Sequence, residues 1–152
     1  MSKRKWWLVA ALVWMVSIFI VTQLPYFTGK NTAHVIQKVV VTEQQKFSIP
    51  PATTTKIVEL NLLIRKSTHV IVFGILALIL YKSFETYRWS YMFSWVITVL
   101  YAITDEWHQS FMPGRVAAYQ DVLFDSFGAF VVLLVLFQIR NKREKRMALK
   151  GF

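Results

Sequence analysis

The stretch MFSWVITVLYAITDEWHQSFMPGR, residues 92–115, decides how this chain is read. Its first thirteen residues carry no charge and are dominated by apolar side chains, the pattern of a helix in hydrocarbon. Its last eleven, DEWHQSFMPGR, bring together two carboxylates, a His, a Gln and an Arg. Charge at membrane depth is costly, so such groups face the protein interior and pair with one another. The stretch therefore predicts a membrane helix that ends in a polar cluster.

The rest of the chain supports that reading. Of the 152 residues, 55% are apolar and 16% aromatic, and the mean hydropathy is +0.42. These values lie outside the range of an ordinary water-soluble domain. There is no cysteine, which excludes disulfides, thiol nucleophiles and thiolate metal sites. The net charge of +10 and the pI near 10.0 fit anionic lipid headgroups better than nucleic acid, because the basic residues flank apolar runs.

Four spans are expected in one domain covering residues 1–152. Residues 6–22 form a charge-free run behind Lys3, Arg4 and Lys5. No small-x-small cleavage pattern follows, so this run reads as an anchor rather than a removable signal peptide. Residues 60–81 reach spanning length only if Arg65, Lys66 and His69 occupy the outer turns. Residues 89–107 make the third span and residues 122–139 the fourth, with Asp125 inside its first turns. The expected fold is all-α: a polytopic four-transmembrane-helix bundle with a long outer loop, residues 23–59, after the first helix. Within that loop Pro50, Pro51 and Thr53 to Thr55 are loop signals. Val35, Ile36, Val39 and Val40 fit an amphipathic helix on the membrane or a short strand.

Orientation follows the positive-inside bias. With both termini cytoplasmic, eleven basic residues lie inside, six of them in the tail, residues 140–152, and seven lie outside. Six of the eight acids then fall outside as well. The basic tail reads as an inner-leaflet anchor.

Three segments place ionisable residues at one depth on the outer side. Lys66, His69 and Phe73 share a face of the second span, Tyr101 and Asp105 stack on the third, and Asp121, Asp125 and Gly128 share a face of the fourth. Pro113 and Gly114 reverse the chain and Arg115 projects from the turn. A cluster of this kind locks helix register if it consists of pairs such as Lys66–Asp125 or Arg115–Asp121. Register needs only one or two pairs, whereas this cluster uses nine polar residues: Lys66, His69, Asp105, Glu106, His108, Gln109, Arg115, Asp121 and Asp125. Arg65 is expected to snorkel to the interface, Gly128 to permit close helix packing, and Trp107 and Tyr119 to join the aromatic belt.

At these residues the sequence resembles the VanZ-like family. RKSTHVIVFGILAL, residues 65–78, is similar to that family's K-x-x-H-x-x-x-[YF] segment. DEWHQSFMPGR, followed by Asp121, Asp125 and Gly128, is similar to its D-E-x-x-Q-x-x-x-P-G-R…D…G segment. Where the family often has Asn one turn after the Asp of the fourth helix, this chain has Asp125. The resemblance implies a small integral protein of a bacterial plasma membrane. It also implies an association with teicoplanin resistance, but no defined chemistry.

Three functions fit the residues. The first is a binding site for a membrane lipid or lipid-linked envelope precursor with an anionic headgroup. Lys66 and Arg115 would hold phosphate, His69 and His108 would donate hydrogen bonds, and Glu106, Asp121 and Asp125 would orient the bases or contact sugar hydroxyls. Asp105 and Gln109 belong to the same substrate-binding set. The second is a hydrolase or transferase in which His69 and Glu106 move protons. The third is a non-catalytic subunit of an envelope complex. No cofactor is expected, and no metal: there is no H-E-x-x-H pattern, and Lys66 and Arg115 would repel a cation.

Overall fold

A computed structural model describes residues 3–24, 29–47, 54–112 and 118–150. Among the described residues it is all-helical, with five helices and no strand. These are α1 (Lys3–Gln23), α2 (Gly29–Phe47), α3 (Thr54–Phe84), α4 (Ser90–Gln109) and α5 (Tyr119–Lys150).

Among the described residues, three helices are long and apolar enough to cross a membrane: Lys3–Gln23, Thr55–Phe84 and Tyr119–Leu149. In their most apolar stretches only 11%, 28% and 22% of residues are buried. The apolar side chains therefore face outward, as they do when the surrounding solvent is lipid. At 1.5 Å per residue, α3 and α5 are each more than about 45 Å long, against roughly 30 Å of hydrocarbon.

The expected third span corresponds to α4, which is not among those three. The reason lies in its buried face. Ser90, Ser94, Thr98, Ala102, Asp105 and Gln109 are all buried and recur at helical spacing. Ser94 and Thr98 each donate to the carbonyl one turn earlier, at 2.7 and 2.8 Å. Small hydroxyl residues allow close helix approach while lowering the average hydropathy. The opposite face exposes Met92, Phe93, Val96, Leu100 and Ile103.

The expected loop, residues 23–59, is largely helical. Helix α2 occupies Gly29–Phe47, and α3 begins at Thr54 rather than near residue 60. The strand alternative for residues 35–40 is thereby removed. Thr32, Ala33, Ile36, Val40 and Gln44 are the more protected residues of α2, a helical period that turns one face toward α3. Pro50, Pro51 and Thr53 lie outside the described residues. The basic tail is not a separate segment either, because α5 runs unbroken from Tyr119 to Lys150.

Helix α3 is the hub. It packs most extensively on α5, then on α1 and α4. Phe73, Leu76, Ile79 and Leu80 join Ala11 and Ile18 of α1 and Ala102 of α4 in one core. Ala77 and Tyr81 meet Ala129 and Leu133 of α5 in another. A Cβ at Gly128 would lie 2.8 Å from Val70 Cα, so the α3–α5 crossing requires glycine there, as expected from the sequence.

Candidate functional site

The C-terminal ends of α1 and α4, the N-terminal half of α3 and the first turns of α5 meet at one end of the bundle. This follows from helix direction, since α1 and α4 run toward that end while α3 and α5 start from it. Each element brings polar residues there; the sequence anticipates those of α3, α4 and α5, but not those of α1.

His69 and Asp125 form its centre. His69 Nδ1–H donates to the Asp125 carboxylate, with 3.2 and 3.4 Å to the two oxygens. Asp125 is 1% exposed, so it needs this partner. Asp125 thus pairs with His69 and not with Lys66, the partner named for it in the register-lock alternative. The His69 ring also stacks parallel to Phe73, with centroids 6.2 Å apart, which holds the imidazole in place.

Asp105 is tied to two other helical turns. It accepts from Thr22 Oγ1 at 3.2 Å and from Gln109 Nε2 at 2.6 Å. Glu106 accepts the backbone N–H of Ala118 at 2.6 Å, which fastens the approach to α5 onto the end of α4. Gln23 Nε2 donates to His108 Nε2 at 3.0 Å, and His108 packs against Phe19 with centroids 4.6 Å apart. Asp121 is half-buried in the first turn of α5, where its charge suits the positive end of the helix dipole. Arg115, with Pro113 and Gly114, lies outside the described residues.

The cations are arranged differently. Lys66 Nζ sits 4.1 Å from the centroid of the Phe124 ring, a cation–π contact. Among the described residues neither Lys66 nor Arg65 forms an ion pair, although four carboxylates stand at this end. The carboxylates Asp105, Glu106 and Asp125 are held by internal bonds instead.

A cavity of about 500 Å³ opens between α1 and α3 beside this cluster. Its walls are mainly apolar, from Trp14, Ile18 and Val21 of α1 and Ile64, Val72 and Phe73 of α3. Its polar lining comes from Ser17, Thr22, Arg65, Thr68, His69 and Asp105, with Thr32 from α2. Two of the nine expected site residues, His69 and Asp105, line this cavity. Lys66, Glu106, His108, Gln109, Asp121 and Asp125 surround the polar end without lining it.

Three contributors escape the sequence reading. Arg65, expected at the interface, lines the cavity. Thr22 and Gln23 of α1 bond to Asp105 and His108. Their only signal is that they are the first polar residues to follow the apolar run of α1. Two further bonds seat that helix: Tyr101 Oη donates to Met15 O at 2.6 Å, and Trp14 Nε1 to Val72 O at 3.1 Å.

No group of three or more His, Cys, Asp or Glu residues among those described could hold a metal ion. The sequence model of the VanZ/LLP1 family matches residues 7–140. No curated protein and no solved structure matches the chain.

Proposed function

The chain belongs to the VanZ/LLP1 family, and on that premise we propose that its polar end binds the anionic headgroup of a lipid or lipid-linked envelope precursor. The observation that carries this reading is Arg65. It lines a cavity with apolar walls and makes no ion pair among the described residues. A guanidinium at membrane depth without a carboxylate partner calls for an anion, and the medium around α1 and α3 supplies lipids.

The proposed topology has four spans with both termini cytoplasmic. Helix α4 is the third of these spans in chain order: its low hydropathy comes from its buried face, while its outer face is apolar. The excess of basic residues on the side of Lys3 to Lys5 and of the α5 tail favours that side as cytoplasmic. The polar end then faces the outer leaflet, where envelope precursors are consumed. The role is in envelope homeostasis or in tolerance to teicoplanin-type lipoglycopeptides.

The test uses a glycopeptide-sensitive Gram-positive host. Surface binding of fluorescent teicoplanin is compared for wild type, Arg65→Gln and empty vector at matched expression. Lowered binding with wild type alone supports the reading. Equal binding in all three removes the antibiotic role.

One observation favours a catalytic version of the same site. Asp125 holds Nδ1 of His69 and leaves Nε2 for the cavity that the ring lines. A carboxylate-oriented imidazole is a suitable general base for activating water against a lipid ester. In that version His69→Gln keeps lipid binding and abolishes turnover, read by mass spectrometry of lipid extracts. Glu106, bonded to Ala118, positions α5 rather than facing the cavity.

A further inference from the structure

Helix α5 outlasts the bundle. Arg, Lys, Glu, Met, Ala and Leu are all good helix formers, so REKRMALK, residues 143–150, carries α5 on past its apolar run. Gly128 lies against Val70 and Gly74 against Val132, which sets α5 beside α3 at a constant offset. With that offset Phe84, the last residue of α3, stands level with Lys142. From there to Lys150 the helix continues for about 12 Å, at 1.5 Å per residue. Every residue from Lys142 to Leu149 is exposed.

One side of this projection is already engaged. Arg140 Nη1 donates to Tyr81 Oη at 2.8 Å, and Arg140 Nε donates to Glu144 at 3.1 Å. These bonds turn the Arg140–Glu144 face toward α3 and occupy the one acid of residues 140–150. The opposite face carries Lys142, Lys145, Arg146 and Leu149, at the i, i+3, i+4, i+7 spacing of a single helical stripe. Among the described residues its three cations form no ion pair, and Leu149 is 79% exposed.

We propose that this stripe is a docking surface for an acidic amphipathic helix of a second protein. Carboxylates of that helix meet Lys142, Lys145 and Arg146, and an apolar side chain covers Leu149. Charge complementarity and the helical period of the stripe support that occupant over two others. The interfacial layer of a bilayer is only about 5–7 Å deep on each side, and α5 would have to break to lay the stripe on it, whereas it runs unbroken to Lys150. A nucleic acid backbone offers Leu149 no apolar contact, and residues 140–150 hold no aromatic ring on which a base could stack. An acidic amphipathic helix supplies both kinds of group at the matching period. In the orientation proposed above the partner is cytoplasmic; the surface itself does not depend on the headgroup reading.

The experiment uses the full chain in phosphatidylcholine nanodiscs. The probe is a fluorescent synthetic peptide with Glu at i, i+3 and i+4 and Leu at i+7, read by anisotropy at physiological salt. A scrambled peptide of the same composition and an oligouridylate of equal charge are the comparators. The expected result is binding of the patterned peptide at least about tenfold tighter than either comparator. Leu149→Gln, which leaves the charge unchanged, and the double variant Lys145→Gln with Arg146→Gln should each weaken it about tenfold. Lys3→Gln with Lys5→Gln removes the same charge from exposed positions of α1 and should leave binding within about twofold. Elution of each variant as a monodisperse peak controls for folding. A nitroxide on Lys145→Cys should stay open to an aqueous nickel chelate when phosphatidylglycerol is added to the disc.

Equal binding of the patterned and scrambled peptides would overturn the helix-docking surface. Tighter binding of the oligouridylate would overturn it in favour of a nucleic acid. Shielding of the nitroxide by phosphatidylglycerol would overturn it in favour of the inner leaflet.

Discussion

Gly128 and Gly74 both face the α3–α5 crossing, yet they tolerate change differently. A Cβ at Gly128 meets backbone atoms of Val70, which cannot move without moving α3. A Cβ at Gly74 meets Val132 Cγ2 at 2.9 Å, a methyl of a stiff β-branched side chain that must shift, while the nearest backbone atom, the Gly128 carbonyl oxygen, is 3.5 Å away. Gly128→Ala is therefore expected to cost about 3 kcal/mol or more and Gly74→Ala about 1 kcal/mol, checked by thermal melting in detergent. The motif position of Gly128 was legible in the sequence, and so was its packing role. Asp125 was legible as a member of the polar cluster, but its partner was not. Lys66, His69 and Arg65 are neighbours on one helix, and only the rotation of α3 against α5 selects His69. Asp125→Ala should destabilise the bundle by about 3 kcal/mol, because it leaves the His69 ring without its acceptor in a poorly solvated place. Asp125→Asn keeps an acceptor oxygen and should lose under half of that. Similar melting points for the two variants would show that the His69–Asp125 bond does not hold the helices.

Helix α4 shows why an apolarity scan is a poor guide to this protein. Its exposed side is apolar, and its buried side is mostly Ser, Thr, Asp, Glu and Gln. That order is inverted relative to a soluble helix, as it would be for the span proposed above, with hydrocarbon as the outer solvent. Thr98 has no exposed surface. Thr98→Leu removes its bond to Ser94 O and adds bulk where helices touch, with an expected loss of about 2 kcal/mol. Val96→Leu on the exposed side is expected to be neutral within about 0.5 kcal/mol. Equal melting of the two variants would mean that α4 does not pack through its polar face. Helix α2 was half-legible: the spacing of Ile36 and Val40 indicated a helix, but alternation also allowed a strand. Contact with α3 removes that ambiguity.

For the whole molecule, topology is the most accessible question, because the chain has no cysteine and so no labelling background. Gln37 of α2 and Lys145 of α5 are both exposed. In intact cells a membrane-impermeant maleimide should label Gln37→Cys and spare Lys145→Cys, which should react only after lysis. The reverse pattern would invert the proposed orientation and put the Arg65 cavity in the cytoplasmic leaflet. Under the proposed four spans both termini would still remain on one side.

The sequence by itself determined the all-helical class, the family and, among the described residues, the convergence of the polar residues of α3, α4 and α5 on one end of the bundle. These depend on hydropathy, helical period and spacing, which are local properties of the chain. Tertiary structure alone decided who pairs with whom. It gave Asp125 to His69, Asp105 to Thr22 and Gln109, and Glu106 to the Ala118 backbone. It also turned Arg65 into the cavity between α1 and α3. Partner choice depends on the rotation and offset of helices about their axes. Those are set by contacts such as Gly128 on Val70 and Trp14 on Val72, between residues more than fifty positions apart, which no local pattern records.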